Sequence, residues 1–339
     1  MTQAFHSRSG GSMFPALTGS DHMARKPDSE ADRLDDAARA GWLYYIAGNT
    51  QDEIARKLGV SRQTAQRLVS LSVSEKLIKV RLDHPISHCL ELSERLKSVY
   101  GFEICEVVPA DPESDSTTIG VAEAAAASLE RYLVSQHPII VAMGTGRMMR
   151  AMAEQMTPMD CPQHKVVSLV GNIAPDGSAS QYDAVSRIAD AVKAPHYPMP
   201  LPVIATTSHE RALLLSQQPL RNVTELAHQA DITFVGVGSI GDDAPLLRDG
   251  FVKPDEMRAL VKAGGVGEII GWAFDADGQL IDGLTNDRVL SVPLQQPVRR
   301  RMIGVAMAPS RLRAIRGALR GKLLNGLITN ELMAERLLK

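Results

Sequence analysis

Residues 42–83, WLYYIAGNTQDEIARKLGVSRQTAQRLVSLSVSEKLIKVRLD, constrain the fold of this chain more than any other stretch. They read as a helix, a tight turn, a second helix and a short basic strand, the outline of a winged helix-turn-helix. Over residues 51–58, Ile54, Ala55 and Leu58 fall on one apolar face, and Gly59 follows directly as the helix stop. Ser61 stands where a cap is needed for a second helix whose Ala65, Leu68, Val69 and Leu71 point inward. Ala55 is small where the second helix must cross close over the first. Gly59 takes a turn conformation that a Cβ makes costly. A pair of this geometry lays its second helix in the major groove of duplex DNA. The expected contacts are Thr50 and Gln51 at the start of the first helix, and Ser61, Arg62, Gln63, Thr64, Gln66 and Arg67 on the second.

Charge agrees with that expectation. Between residues 51 and 82 the bases are Arg56, Lys57, Arg62, Arg67, Lys76, Lys79 and Arg81, against Asp52, Glu53 and Glu75. The whole chain carries a formal charge of -2, so positive charge is concentrated here. Neutralising phosphates provides most non-specific DNA affinity, and local excess therefore counts more than overall balance. Glutamine suits adenine and arginine suits guanine, without fixing which base each reads. A helical hairpin with a solvated basic face is the bland alternative. Against it, the apolar spacing, Gly59 and Ser61 all fall where DNA-binding geometry needs them.

At 339 residues the chain has room for two domains. No apolar run approaches the roughly 20 residues that span a bilayer. The first twenty residues lack a charged region followed by a continuous apolar core, so no secretory signal is expected, and residues 1–30 read as a disordered tail. Cys89, Cys105 and Cys161 are odd in number and lack ligand spacing, which fits a reducing cytoplasm. His84 and His88 lie four apart beside Cys89, but Pro85 at a helix start puts His84 off the face carrying His88. No metal site is expected.

From Glu103 onward, strands and helices alternate. EICEVV, PIIVAM, KVVSLV, DITFVGVG, GEIIGWAFD, RVLSV and MIGVAMA read as strands. IGVAEAAAASLERYLVS, RMMRAMAEQM and YDAVSRIADAVKA read as helices. Uninterrupted apolar runs between helices indicate an α/β domain with a mainly parallel, Rossmann-like sheet covered on both faces. Ahead of it, CLELSERLKSVYG reads as an amphipathic connector. The expected division is a tail over 1–30, a winged helix-turn-helix over 31–83, a linker helix over 84–100 and a ligand-binding domain over 101–339.

Ligands of open parallel sheets bind at the carboxyl ends of the strands. Here those ends carry Gly144-Thr145-Gly146-Arg147, then Gly171-Asn172, then Gly236, Gly238 and Ser239. Two glycines let the backbone approach a ligand, Thr145 offers a hydroxyl, and a helix N-terminus favours an anion. A phosphate or a polyhydroxylated ligand suits the first loop; a plain strand-to-helix turn is the alternative for that loop taken alone. GTGRMM is neither GxGxxG nor a phosphate-binding loop. No nucleophile elbow surrounds Ser239, and adjacent Asp242 and Asp243 diverge. No catalytic set and no cofactor are expected.

The chain resembles the sorbitol-operon regulator (SorC) family of sugar-responsive transcription factors, related to the deoxyribonucleoside-regulator (DeoR) group. LYYIAGNTQDEIARKLGVSRQTAQRL carries the resemblance in the first domain. GVGEIIGWAFDADG, LTNDR and AIRGALRGKLLNGLIT carry it in the second, and it covers about residue 33 to the C-terminus. It implies a cytoplasmic homo-oligomer, often a tetramer, that binds operator DNA under control of a sugar, polyol or sugar phosphate. It also implies a sheet similar to that of sugar-phosphate isomerases and glucosamine-phosphate deaminases, no longer catalytic. By resemblance Gly144 to Arg147 match the family's phosphate or hydroxyl cradle, Gly171 and Asn172 a second effector loop, and Gln181 a contributor from the following helix. Glu268 matches an acidic residue that accepts from effector hydroxyls, as one carboxylate can from two vicinal hydroxyls. Asp275 and Asn286 belong to neighbouring motifs, with either a ligand-contacting or a structural role.

Two departures bear on the ligand. Where many members carry a Gly-Gly pair and then a lysine, this chain has Ala306-Met307-Ala308-Pro309-Ser310-Arg311. Arg311 keeps the charge as a planar fork and excludes a Schiff base. Met307 and Ala308 narrow the backbone's approach, which favours a smaller or unphosphorylated polyol. The rival reading is a sugar-phosphate isomerase or deaminase with a DNA-binding appendage, using Glu268, Asp275 and Asp277 as acid or base. No lysine or histidine partner stands near them in sequence.

Overall fold

A computed structural model describes residues 30–75, 77–79, 86–111, 113, 116–174 and 176–339. The chain divides into two compact units, Met1–Leu82 and Asp83–Lys339. All but the last residue of the expected tail, together with Lys76, Arg81, His84 and Pro85, lies outside the described residues.

In the first unit α1 (Glu30–Gly41) runs into a π-helical stretch, Trp42–Ile46, followed by α2 (Gln51–Leu58) and α3 (Arg62–Ser74). Thr50 and Glu53 form a reciprocal capping box at the start of α2. Gly59 ends that helix at φ 67°, in the left-handed region where a glycine costs least. Ser61 then accepts from the Thr64 N–H at 3.1 Å and opens α3. Ala37, Ala40, Leu43, Ile54, Ala55, Ala65, Leu68 and Val69 close the core, with Leu58 and Leu71 half-buried at its edge. Helices α1 and α3 pack very closely: a Cβ on Gly41 would lie 2.3 Å from Ser72 Oγ. Of the short basic strand expected after the second helix, Ile78 and Lys79 form no strand, and residues 80–82 lie outside the described residues.

Among the described residues of the second unit, ten strands form two sheets. In chain order they are β1 (Ile104–Val108), β2 (Ile140–Met143), β3 (Lys165–Ser168), β4 (His196–Tyr197) and β5 (Ile232–Val235). The remainder are β6 (Gly238–Ser239), β7 (Gly265–Ile269), β8 (Trp272–Asp275), β9 (Arg301–Val305) and β10 (Gly326–Asn330). Seven of them build a wholly parallel sheet in the order β1-β10-β9-β5-β2-β3-β4. The expected mainly parallel α/β architecture is therefore present. Before β1 runs α4 (Ser87–Tyr100), and between the strands run α5 (Ser116–Leu133), α6 (Arg147–Gln155), α7 (Val185–Val192), α8 (Ser208–Leu215) and α9 (Gln218–His228). After β6 follow α10 (Pro245–Arg248), α11 (Pro254–Lys262), α12 (Leu312–Arg320) and α13 (Glu331–Leu337).

Both faces of the large sheet are covered, as strand periodicity requires. Val141, Met143, Ile232 and Phe234 point to one face and pack with Leu129 of α5, Met149 and Met152 of α6 and Ile188 of α7. Ala142 and Val235, one residue out of phase, point to the other and pack with Leu92 and Leu96 of α4, Val223 of α9 and Ile315 of α12. Helix α4 is thus part of the second unit's core. Ser93 Oγ donates to Cys105 O at 2.6 Å and Tyr100 OH to Leu337 O at 2.9 Å, fixing the middle and the C-terminal end of the helix there.

Beside the two-residue β4, which no expected strand covers, three segments differ from the expected strand pattern. GEIIGWAFD is not one parallel strand but the antiparallel hairpin β7–β8, which joins β6 in a separate three-stranded sheet. It turns at Ile270 and Gly271, whose φ values of 46° and 89° meet the requirement of a two-residue hairpin for positive φ at both positions. RVLSV is not a strand beyond one isolated bridge from Val289 to Ile204. Its Val289, Leu290 and Val292 are buried all the same, and the N–H groups of Leu290 and Val292 are satisfied there by the carbonyls of Val203 and Leu169. GLITN forms β10, a fully buried strand second from the edge of the sheet.

Candidate functional site

Strand order reverses around β2. From there the chain moves outward to β3 and β4 on one side, then returns to β5 on the other. Such a switch point opens a crevice above the carboxyl ends of the strands, and a cavity lies there. Its floor is Thr145, Gly146, Arg147 and Met148 after β2, Val170 and Gly171 after β3, and Gly236, Val237 and Gly238 after β5. The β7–β8 hairpin supplies Glu268, Ile270 and Gly271, the segment around α10 supplies Asp249 and Phe251, and a 3-10 turn after β9, Pro309–Arg311, supplies Arg311. The cavity is about 90 Å³. At about 10–15 Å³ for each water-sized occupant, it takes about six to nine of them.

Glycines are needed here for close approach. Gly144 lets the hairpin settle on the sheet, since a Cβ there would stand 3.3 Å from Ile270 Cγ2. Gly171 passes so near the Leu201 carbonyl that a Cβ would lie 2.1 Å from its oxygen. Over Gly238 sits the Glu268 carboxylate, 1.9 Å from where a Cβ would be. Gly146, at φ 108°, turns the chain from β2 into α6, whose first turn has no side-chain cap. The amides of that turn remain available to a ligand oxygen.

The side chains are held by specific bonds. Glu268 Oε2 accepts from the Gly271 N–H at 2.8 Å across the hairpin turn. Burial raises its carboxyl above the usual range, while that N–H and the charge of Arg311 pull it back down. Burial acts on Arg311 in the opposite sense, lowering it, and Glu268 opposes that shift. Arg147 makes a two-point ion pair with Asp249, Nη2 to Oδ1 at 2.8 Å and Nη1 to Oδ2 at 3.3 Å. Its guanidinium also lies 4.8 Å from the centre of the Tyr182 ring. Thr145 Oγ1 donates to Tyr182 O at 3.0 Å, which ties the first loop to the segment before α7.

Of the positions expected to meet an effector, Thr145, Gly146, Arg147, Gly171, Gly236, Gly238, Glu268 and Arg311 are brought together around this cavity. Five others are not among its lining. Gly144 packs beneath Ile270. Asn172 follows the lining residue Gly171 and accepts at its carbonyl from the Ser180 N–H. The Gln181 side chain is exposed, and its carbonyl accepts from Arg150. Asp275 closes a turn by accepting from the N–H groups of Asp277 and Gln279. Asn286 is buried and spends its amide on the backbone, bonding the Ala273 N–H and the carbonyls of Ala273 and Ile281. Tyr182, Asp249 and Phe251 line the cavity without a signal in the sequence, since they lie in irregular segments far from the glycine loops. Gly271 was such a signal: a glycine amid apolar residues, it marks the hairpin turn.

On the first unit, Arg62, Gln63, Thr64, Gln66 and Arg67 are all exposed on α3. Arg62 Nε lies 3.5 Å from Asp52 Oδ1, an exposed pair that water screens. Thr50 and Ser61 commit their hydroxyl groups to helix caps, and Gln51 is half-buried. Among the described residues no group of three or more His, Cys, Asp or Glu side chains is placed to hold a metal ion. No helix among them is long and apolar enough to cross a membrane.

A helix-turn-helix unit joined to a doubly covered parallel sheet with a charged, glycine-floored cavity at its switch point defines a ligand-binding transcriptional regulator. The chain belongs to the family described as "Putative sugar-binding domain", which it matches over residues 84–339. It is 31% identical over 302 residues to the erythritol catabolism regulatory protein EryD of Brucella abortus, covering 89% of this chain and 96% of that one. It is 29% identical over 309 residues to the deoxyribonucleoside regulator of Bacillus subtilis, with 90% and 96% covered. The crystal structure of the full-length sorbitol operon regulator SorC from Klebsiella pneumoniae superposes with a TM-score of 0.69 at 25% identity, over 92% of this chain and all of that one. These relatives are transcriptional regulators, and on that ground the reading as an isomerase or deaminase is set aside.

Proposed function

We propose that this chain binds operator DNA through the exposed face of α3, that a small polyhydroxylated effector occupies the cavity, and that occupancy sets DNA affinity. In this reading residues 31–83 form the DNA-binding domain, 84–100 lead from it, and 101–339 bind the effector. The observation that carries it is the convergence on one cavity of glycine loops from three strand ends with Glu268 and Arg311. Glu268 accepts from vicinal hydroxyls on the effector, and the amides of α6 donate to their oxygens. The cavity volume of about 90 Å³ suits a small polyol. The Brucella relative is a regulator of erythritol catabolism, which places erythritol and its near homologues first among effectors to try.

The protein acts as a cytoplasmic homo-oligomer, a tetramer by family resemblance, because paired half-sites need paired recognition helices at fixed spacing. A modest rearrangement between subunits then changes operator affinity. The test is a footprint of the purified protein on the DNA upstream of its own gene, repeated with sugars, polyols and their phosphates. Protection that one such ligand strengthens or removes supports the reading. Absence of protection under every condition refutes it.

A further inference from the structure

We propose that Asp249 sets the chemical class of the effector: by holding Arg147 in a two-point ion pair, it makes the cavity select an uncharged polyol over the phosphate ester of that polyol. This rests on the reading above, that the cavity is the effector site. Arg147 opens α6 in the loop whose glycines and helix start would otherwise welcome a phosphate. The Nη1–Nη2 edge of its guanidinium, one of the two that can grip a pair of phosphate oxygens, is instead taken by Asp249, at 2.8 and 3.3 Å. The face of the same group lies over Tyr182. Asp249 is well placed to keep this hold, since its side chain is only 18% exposed against 44% for Arg147.

The other charged side chains lining the cavity are Glu268 and Arg311, again one of each sign. Two carboxylates balance two guanidiniums in the lining itself, the one further guanidinium whose charge reaches Arg311, that of Arg248, is exposed to water, and a phosphate dianion would also face the Glu268 carboxylate. An uncharged polyol meets that same carboxylate as a hydrogen-bond acceptor. The free amides of α6 serve a hydroxyl oxygen and a phosphate oxygen alike, so the discrimination falls to the side chains. Asp249 acts through Arg147 and is a positioning residue. Asp249→Asn keeps the shape and removes the charge that opposes Arg147, leaving one cation unbalanced in the cavity.

The experiment is calorimetric titration of the full chain with erythritol, xylitol and sorbitol, and with the terminal phosphate ester of each. The parent is expected to bind at least one polyol tenfold or more tightly than its ester. Asp249→Asn shifts that ratio tenfold or more toward the ester, and the double variant Arg147→Gln, Asp249→Asn loses the gain. A change in selectivity that depends on Arg147 is a result that mere loosening of the fold does not give. Asp249→Ala replaces Asp249→Asn where the latter does not melt cooperatively, with the same outcomes required. An ester that binds the parent more tightly than its polyol overturns the proposal. So does an unchanged ratio in the Asp249 variant, or a gain that survives in the double variant. Binding of none of the six compounds overturns the effector-site reading itself, and this proposal with it.

Discussion

Replacing Asn286 with alanine removes three hydrogen bonds from a buried place: the Ala273 N–H to Oδ1 at 2.9 Å, Nδ2 to Ala273 O at 2.9 Å, and Nδ2 to Ile281 O at 2.8 Å. The Ala273 carbonyl keeps a bond from the Ile281 N–H at 3.0 Å. The groups left without their Asn286 partner are therefore the Ala273 N–H and the Ile281 carbonyl. Each buried group so orphaned costs about 1–3 kcal/mol, which puts the loss near about 4 kcal/mol. In a unit of this size 1 kcal/mol moves the melting temperature by about 2–4 °C, so Asn286→Ala lowers it by about 8–16 °C. Asn286→Asp keeps one acceptor but turns a second oxygen toward two carbonyls, so it destabilises at neutral pH and recovers as acid protonates it. The assay is urea unfolding followed by circular dichroism, paired with polyol titration well below the transition. Stability falls steeply while the affinity of the folded protein changes far less. A variant within 1 kcal/mol of the parent that has lost polyol affinity would show Asn286 to be a ligand contact rather than a brace for the backbone.

Other consequences follow from single features. Ala308 sits at φ 100°, ψ 130°, a conformation that suits glycine; relief of about 1–3 kcal/mol of strain, less about 0.4–1 kcal/mol of unfolded-chain freedom, predicts that Ala308→Gly stabilises by about 1 kcal/mol. Its urea midpoint rises at unchanged slope. Burial raises the Glu268 carboxyl in the fold, so stability from this group is present below its unfolded value and is lost as pH rises through the raised one. Polyol affinity runs the opposite way, falling as acid neutralises the carboxylate, and titrations across pH should lose this dependence in Glu268→Gln. Removing Arg62 and Arg67 together should weaken DNA binding and reduce the salt slope by about 2 for each half-site engaged, about 4 for a pair, since each phosphate neutralised contributes about 0.9. Titration over a range of salt checks it, and an unchanged slope takes these side chains off the phosphates.

What the sequence declared well is what backbone geometry demands locally. Gly59 and Ser61 bound α2 and α3 where caps must be, and the glycines after β2, β3 and β5 mark the places where the chain approaches the cavity. Burial alone misled at RVLSV, where an apolar run is sunk in the core without a sheet partner along its length. An apolar run does not distinguish these cases. The hairpin hid inside GEIIGWAFD because its turn carries Ile270, a β-branched residue at positive φ that local preference opposes. The Asp249–Arg147 pair joins residues about a hundred apart, and no periodicity links them. Asp275 and Asn286 sit in motifs beside the cavity, yet their polar atoms serve the backbone.

Filling the cavity is expected to change the grip on DNA. Fluorescence anisotropy on labelled upstream DNA, with and without saturating polyol, measures this for the parent and for Gly238→Ala, whose added Cβ would lie 1.9 Å from Glu268 Oε1. Coupling of about 1–3 kcal/mol predicts a change in the parent's DNA Kd of about 5-fold or more. Gly238→Ala should hold DNA as the parent does without ligand and show no such change. A parent whose DNA Kd no polyol, sugar or sugar phosphate moves, or a Gly238→Ala protein that responds as fully as the parent, contradicts it.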